Sequence, residues 1–336
     1  MSLIAGSYER FIWGFRVKTN SSQPLTQLFS YPSHLCPIKS VALSFPIAAS
    51  AASADSIKLY DLSTNTELGS LLDDRTLSSS ITSLEFYTPP SYSFPLNLIS
   101  SDDEGNVSIH DTDPFILLKT VRVHRKGIND MAVHWSGRLA VTVGRDDCFG
   151  LVNLVRGRRS FVGRLGKEAT VVGFGLDGER FWMGIGERVS VHQAEDAKLV
   201  WEFECKKRVL CAAAGENGLI LTGGEDRGIT VWDTRSGKSA YCIEEAHSTR
   251  VKGIAMLTQE NEAGAATDPY VVASASTDGV IRLWDVRFAN KEKPNPLAEA
   301  QTKSRLTCLA GSTLKLKSNQ LGPSKEQTER LQLERE

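Results

Sequence analysis

His247, Ser274 and Asp278 are of the types that make an acyl-transfer triad: a base, a nucleophile and a carboxylate to orient the base. The same types recur upstream as His124, Thr142 and Asp146. That recurrence argues against catalysis, because the spacing from His to Asp then belongs to a repeated unit. No G-x-S-x-G turn is present to expose a nucleophile. The six histidines show neither HxH nor HxxxH metal spacing, and no GxxxxGK phosphate loop exists. The glycines of GFGLDG at 173–178 fall at a strand-to-strand turn and not in a nucleotide fingerprint. No enzymatic activity, cofactor or metal is expected. The structural reading is stronger: a buried Asp must be paired, and a histidine with the amides of a tight turn can pair it.

The elements that would hold these residues are strands. Residues 246–287 contain a His, a strand-like run, the turn signal Thr277-Asp278-Gly279 and a second strand-like run ending in Trp284-Asp285. Weaker copies precede it. The position of Trp284 is matched by Phe15, Tyr60, His110, Val152, His192 and Trp232, at spacings of 45, 50, 42, 40, 40 and 52 residues. A period of this size with four short strands per unit predicts a propeller of seven blades. The longest intervals hold insertions, TPPSYSFP after Tyr87 and QENEAGAATDP after Thr258, which belong in loops. Residues 305–310 read as a first strand with no continuation, and residues 3–31 as the last three strands of a unit with no beginning. Together they predict one shared blade that closes the ring and removes its open edges. The expected fold is therefore all-β, a seven-bladed β-propeller over 1–311, followed by a polar, disordered tail over 312–336.

Composition is consistent with this. The chain has 336 residues and a formal net charge of -1, which argues against a protein that coats nucleic acid all over but permits local basic patches. No apolar run reaches 18 residues, so no membrane span is expected, and the start lacks the basic and apolar regions of a signal peptide. The six cysteines are scattered without a CxxC pair, which predicts free thiols.

TGGEDRGITVWD and SASTDGVIRLWD resemble the WD-repeat pattern closely. That resemblance implies a hydrogen-bonded set of His247, Ser274 (or Ser276), Asp278 and Trp284 in the seventh copy. It implies Thr222, Asp226 and Trp232 in the sixth, which has no preceding His. In the fourth copy it implies His124, Thr142 and Asp146, with Val152 in place of Trp. In the third copy Glu104 stands at the Asp position, and the fifth has none of the set. The phrases LIAGSYERFIWGFRV, HRKGINDMAVHWSGRLAVTVGRDD, LVNLVRGRRSF and SRLTCLA resemble the p21-activated protein kinase-interacting protein 1 family over residues 3–311. The resemblance implies a scaffold in large ribosomal subunit assembly, located in the nucleus and nucleolus, that also binds and restrains p21-activated kinases. The implied partners are pre-ribosomal assembly factors and a kinase, with this chain a monomer inside a larger complex. The tail departs from the long Lys-rich tail often found in that family.

Two further clusters bear on partners. Arg156, Arg158, Arg159, Arg164 and Lys167 fall around one predicted outer strand, with Lys206, Lys207 and Arg208 further on, and suit contacts to rRNA phosphates. Trp232-Asp233-Thr234-Arg235 and Trp284-Asp285-Val286-Arg287 resemble the WDxR box of cullin-4 ubiquitin ligase substrate receptors, in which Arg235 and Arg287 would meet the adaptor.

Overall fold

A computed structural model describes residues 1–18, 21–53, 56–71, 79–257, 270–286 and 295–311. Seven four-stranded antiparallel sheets account for the strands. Blade 1 combines 306–311 with 2–32. Blades 2 to 7 span 38–71, 81–122, 128–164, 171–204, 209–243 and 251–301 in chain order. The C-terminal strand Leu306–Gly311 pairs with Ser2–Ser7, Leu3 opposite Gly311 and Ala5 opposite Leu309. Both ends of the ring thus share one blade, as the two incomplete units at the ends of the sequence require.

The core is not one mass but seven layers, one between each pair of neighbouring blades. The second strand of a blade lies inside two such layers and is covered on both faces. Ile47–Ala52 and Val271–Ser276 are buried at every position. This explains their runs of Ala, Ser and Val: the gap between blades is narrow there, and alternation of polar and apolar residues is lost. The fourth strands are solvated, as in Thr66–Leu71 and Arg158–Arg164. The residues in the position of Trp284 turn toward the preceding blade; Trp284, Trp232, Phe15 and Tyr60 each sit in that layer. In six blades the ladder between third and fourth strands shifts register immediately before this position, at Phe15, Tyr60, His110, Val152, His192 and Trp232. The bulge re-aims the side chain into the layer, so the sequence equivalence has a common backbone cause.

The insertion 88–95 lies between the first two strands of blade 3. The insertion after Thr258, the tail 312–336 and Arg287 lie outside the described residues. All six cysteines are free, and among the described residues no helix is long and apolar enough to cross a membrane.

Candidate functional site

The position of His247 is defined by its backbone before its side chain. Its N–H donates to Arg227 O in the turn of the preceding blade. The same bond is made by His34 to Arg10 O, His124 to Gly105 O, Leu165 to Asp147 O, Cys205 to Glu187 O and Thr302 to Gly279 O. These six residues occupy one structural position, although only three are histidines.

Where the histidine is present, a network follows. In blade 7, Trp284 Nε1–H donates to Ser274 Oγ at 2.8 Å, and His247 Nε2 lies 2.8 Å from the same oxygen. Asp278 Oδ2 sits 3.4 Å from His247 Nδ1, an ion-pair distance, and accepts the N–H and hydroxyl of Ser248 at 3.1 and 2.9 Å. Ser276, the other candidate, donates instead to Arg250 O at 2.9 Å. In blade 4, His124 reaches Asp146 at 2.8 Å and Thr142 at 2.9 Å. In blade 2, His34 Nε2 lies 2.7 Å from Ser50 Oγ, which contacts Tyr60 OH at 2.8 Å, so tyrosine substitutes for tryptophan. In blade 6, Trp232 donates to Thr222 Oγ1 at 2.9 Å without a histidine.

The histidine goes with the direction in which the turn Asp shifts. Burial pushes Asp278 up, but His247, the Val280 N–H and Ser248 more than offset this and hold its pKa far below the usual range. Asp146 is likewise held low, burial being offset by the Arg125 N–H and His124. Asp226 faces Cys205 instead. Its pKa is raised by burial, and burial pushes the Cys205 thiol up to about 12, leaving it neutral. The same turn Asp therefore shifts in opposite directions according to the residue beside it.

Blade 3 caps its turn differently. Glu104 is exposed and does not take the Asp role. Asp103 accepts the Ser80 N–H at 2.9 Å, while Asp102 accepts the N–H groups of Glu104 and Asn106 at 3.0 and 2.8 Å. By register Glu104 does stand at the Asp position, since Val107 pairs with Ser101 as Ile281 pairs with Ala275, but the two carboxylates before it divide the capping task.

Ser274 has 0% exposure and its oxygen is engaged by both His247 and Trp284. A nucleophile so placed has no approach path, so this set ties strands together. Among the described residues no group of three or more His, Cys, Asp or Glu is arranged to hold a metal.

The basic cluster does not form one patch. Arg158 pairs opposite Asn153 and Arg164 opposite Cys148, at the two ends of the strand Arg158–Arg164. Six steps along the strand separate them, about 20 Å. Arg159 donates to Val123 O at 3.1 Å. Arg156 sits at the Asn153 end, and Lys167 lies beyond Arg164. Arg235 is exposed, and its guanidinium donates to Asn217 Oδ1 at 3.4 Å.

Sequence reasoning missed a braced rim. The loops joining first and second strands in blades 2 to 5 are hydrogen-bonded in series. Ser44 Oγ meets Thr88 Oγ1 at 2.6 Å, Tyr87 O–H donates to Ser136 O at 3.0 Å and Trp135 Nε1–H to Asp177 O at 3.2 Å. Phe45, Tyr92 and Trp135 stand on this rim with 56%, 56% and 52% exposure. An aromatic residue in a loop was the available signal, but only the cross-blade bonds bring the three onto one edge.

A closed ring of seven four-stranded blades with a buried His-Ser-Trp network defines a WD-repeat propeller, and the WD40 family (WD domain, G-beta repeat) matches residues 240–285. "p21-activated protein kinase-interacting protein 1-like" of Danio rerio is 30% identical, covering 92% of this chain and 80% of the relative. The Xenopus laevis protein of the same name is also 30% identical over 92% of this chain and 81% of its own. "Shk1 kinase-binding protein 15" of Schizosaccharomyces pombe is 25% identical, over 85% and 77%. The chain belongs to the p21-activated protein kinase-interacting protein 1 family.

Proposed function

We propose that this protein is a non-enzymatic scaffold of large ribosomal subunit assembly in the nucleolus, with a second role in restraining a p21-activated kinase. The observation that carries the scaffold reading is the rim bearing Phe45, Tyr92 and Trp135. Large exposed aromatic side chains are frequent anchors of protein interfaces. Here they sit on loops already braced by cross-blade bonds, so docking costs little ordering entropy. The kinase role is supported by relatives named as kinase-interacting and kinase-binding proteins. The assembly role and the nuclear location rest on the family resemblance set out above. Arg158 and its neighbours offer rRNA a secondary contact, with Arg156 and Arg158 at one end of the strand and Arg164 and Lys167 at the other.

Affinity purification with mass spectrometry, with and without nuclease, tests this reading. Large-subunit assembly factors recovered with the parent and lost with F45A/Y92A/W135A are expected. A kinase or a cullin adaptor without any assembly factor would overturn the assembly role.

A further inference from the structure

The central channel, about 600 Å³ in volume, is lined by the first strand of every blade. At its entrance on the face of the tight turns lies a ring of seven equivalent residues: Thr307, Lys39, Thr82, Asn129, Thr170, Leu210 and Lys252. In six blades the ring residue is skipped by the ladder, as between Ile38 and Ser40 or Val251 and Gly253. A skipped residue leaves its side chain free of the pleat and aims it at the channel.

Four ring residues use that freedom to tie the structure. Thr307 donates to Ile38 O at 2.6 Å, Asn129 to Ala169 O at 2.8 Å and Thr170 to Val209 O at 3.0 Å, each across a blade boundary. Thr82 donates within its own blade to Ser101 O at 3.2 Å. Lys39 and Lys252 do not. Among the described residues neither side chain has a hydrogen-bond or ion-pair partner; Lys252 is half-buried and Lys39 exposed. Arg208 and Arg250 precede the first strands of blades 6 and 7, beside the ring. Their carbonyls are fixed by Glu225 N–H and Thr277 N–H, while their exposed guanidinium groups have no partner among the described residues. Burial, followed by the charge of Arg250 and then of Arg208, lowers the Lys252 pKa, with Cys211 and Glu225 as counterweights.

A half-buried ammonium beside two exposed guanidinium groups makes the mouth locally electropositive and suits it to carboxylates. We infer that this channel mouth is a binding site for an acidic peptide segment, whose carboxylates sit among Lys39, Lys252, Arg208 and Arg250. Peptide is favoured over RNA because single-stranded RNA needs exposed aromatic faces as well as cations. Phe45, Tyr92 and Trp135 are on the loops at the opposite ends of these strands. Tyr8, exposed on the mouth's own face, is capped by the Arg305 guanidinium 4.2 Å above its ring. The site does not depend on the assembly role: it would serve any partner that carries the acidic segment.

The test is fluorescence anisotropy with the full chain and labelled hexaglutamate, with poly(U) RNA as the rival ligand. K39E/K252E is compared with the parent, with K198E as a control at a remote, paired lysine. K39Q/K252Q serves if the reversal does not fold. Binding of hexaglutamate that falls at least about tenfold in the mouth variant and not in the control is expected, equivalent to losing one charge-assisted hydrogen bond. Hexaglutamate binding that is absent, or equal in parent and mouth variant, overturns the site. Poly(U) binding lost in the mouth variant, with no hexaglutamate binding, overturns the peptide occupant in favour of RNA.

Discussion

Arg305 and Glu9 stand at opposite ends of the sequence yet bind each other twice: the guanidinium Nε–H donates to Glu9 Oε1 and the backbone N–H to Glu9 Oε2, both at 2.8 Å. The pair spans the seam of the shared blade. Its side chains are 60% and 36% exposed, so screening limits its strength. Arg305→Ala should therefore cost under about 1 kcal/mol. Leu306, the next residue, is fully buried between blades 7 and 1. Leu306→Ala should cost about 2–5 kcal/mol. Thermal melts of both variants check this, and an Arg305→Ala loss equal to that of Leu306→Ala would show that the clasp and not the layer holds the seam.

Asp278 and Asp226 should respond to pH with opposite sign. A carboxylate whose folded pKa is depressed stabilises the fold above its unfolded pKa and loses that contribution as pH falls through the folded value. Asp278→Ala should thus destabilise by about 2 kcal/mol at neutral pH, and the gap should close in acid. Asp226 has a raised pKa, so its charge opposes folding once pH rises above the unfolded value. Asp226→Asn should match or exceed the parent's melting temperature at pH 7. Equal destabilisation by both substitutions would refute the contrast.

Cys205 occupies the histidine position of blade 6, with Thr222, Asp226 and Trp232 already in place. Cys205→His should supply the missing partner and stabilise by about 1 kcal/mol. It should also draw the Asp226 pKa down, measurable by carboxyl carbon NMR. A lower melting temperature together with an unmoved Asp226 would mean that the position cannot seat the ring.

Glu85 sits in the channel wall, where Val133 N–H donates to it at 2.7 Å. Burial pushes its pKa up to about 8, outweighing that bond, with nearby Asp130 adding to the rise. A raised folded pKa means that the folded form holds the proton more tightly, so stability falls as pH climbs from the unfolded value toward 8. Glu85→Gln keeps a carbonyl for Val133 and removes the titration. Its melting temperature should exceed the parent's at pH 8 and converge with it near pH 5, allowing for the smaller parallel contribution of Asp130, whose pKa burial raises to about 6. A parent melting temperature that rises from pH 5 to 8 would contradict the assignment.

The ring was legible because its period is written in large residues. Phe15, Tyr60, Trp232 and Trp284 fill a layer between blades, and a layer needs volume at a fixed backbone position. The position of His247 was legible only where the side chain works. At Leu165, Cys205 and Thr302 the backbone N–H makes the bond, and a backbone bond constrains no residue type. The Ser50–Tyr60 contact and the Asp103 substitution each required knowing which neighbours meet. The braced rim joins residues more than 40 positions apart, such as Ser44 and Thr88, through loops that carry no periodic signal. The spread of the basic cluster was illegible for the reverse reason: closeness in sequence along an extended strand becomes distance in space.

The pairing of Leu3 with Gly311 places the two partners of the closing strand pair at the same end of their ladder, with Tyr8 and Arg305 at the other. Tension applied between residues 2 and 311 would therefore peel that ladder open one hydrogen bond at a time, without shearing all of it at once. The ring would resist heat through seven apolar layers, yet yield to force at a single zipper, and the Arg305–Glu9 clasp would be the last tooth to part.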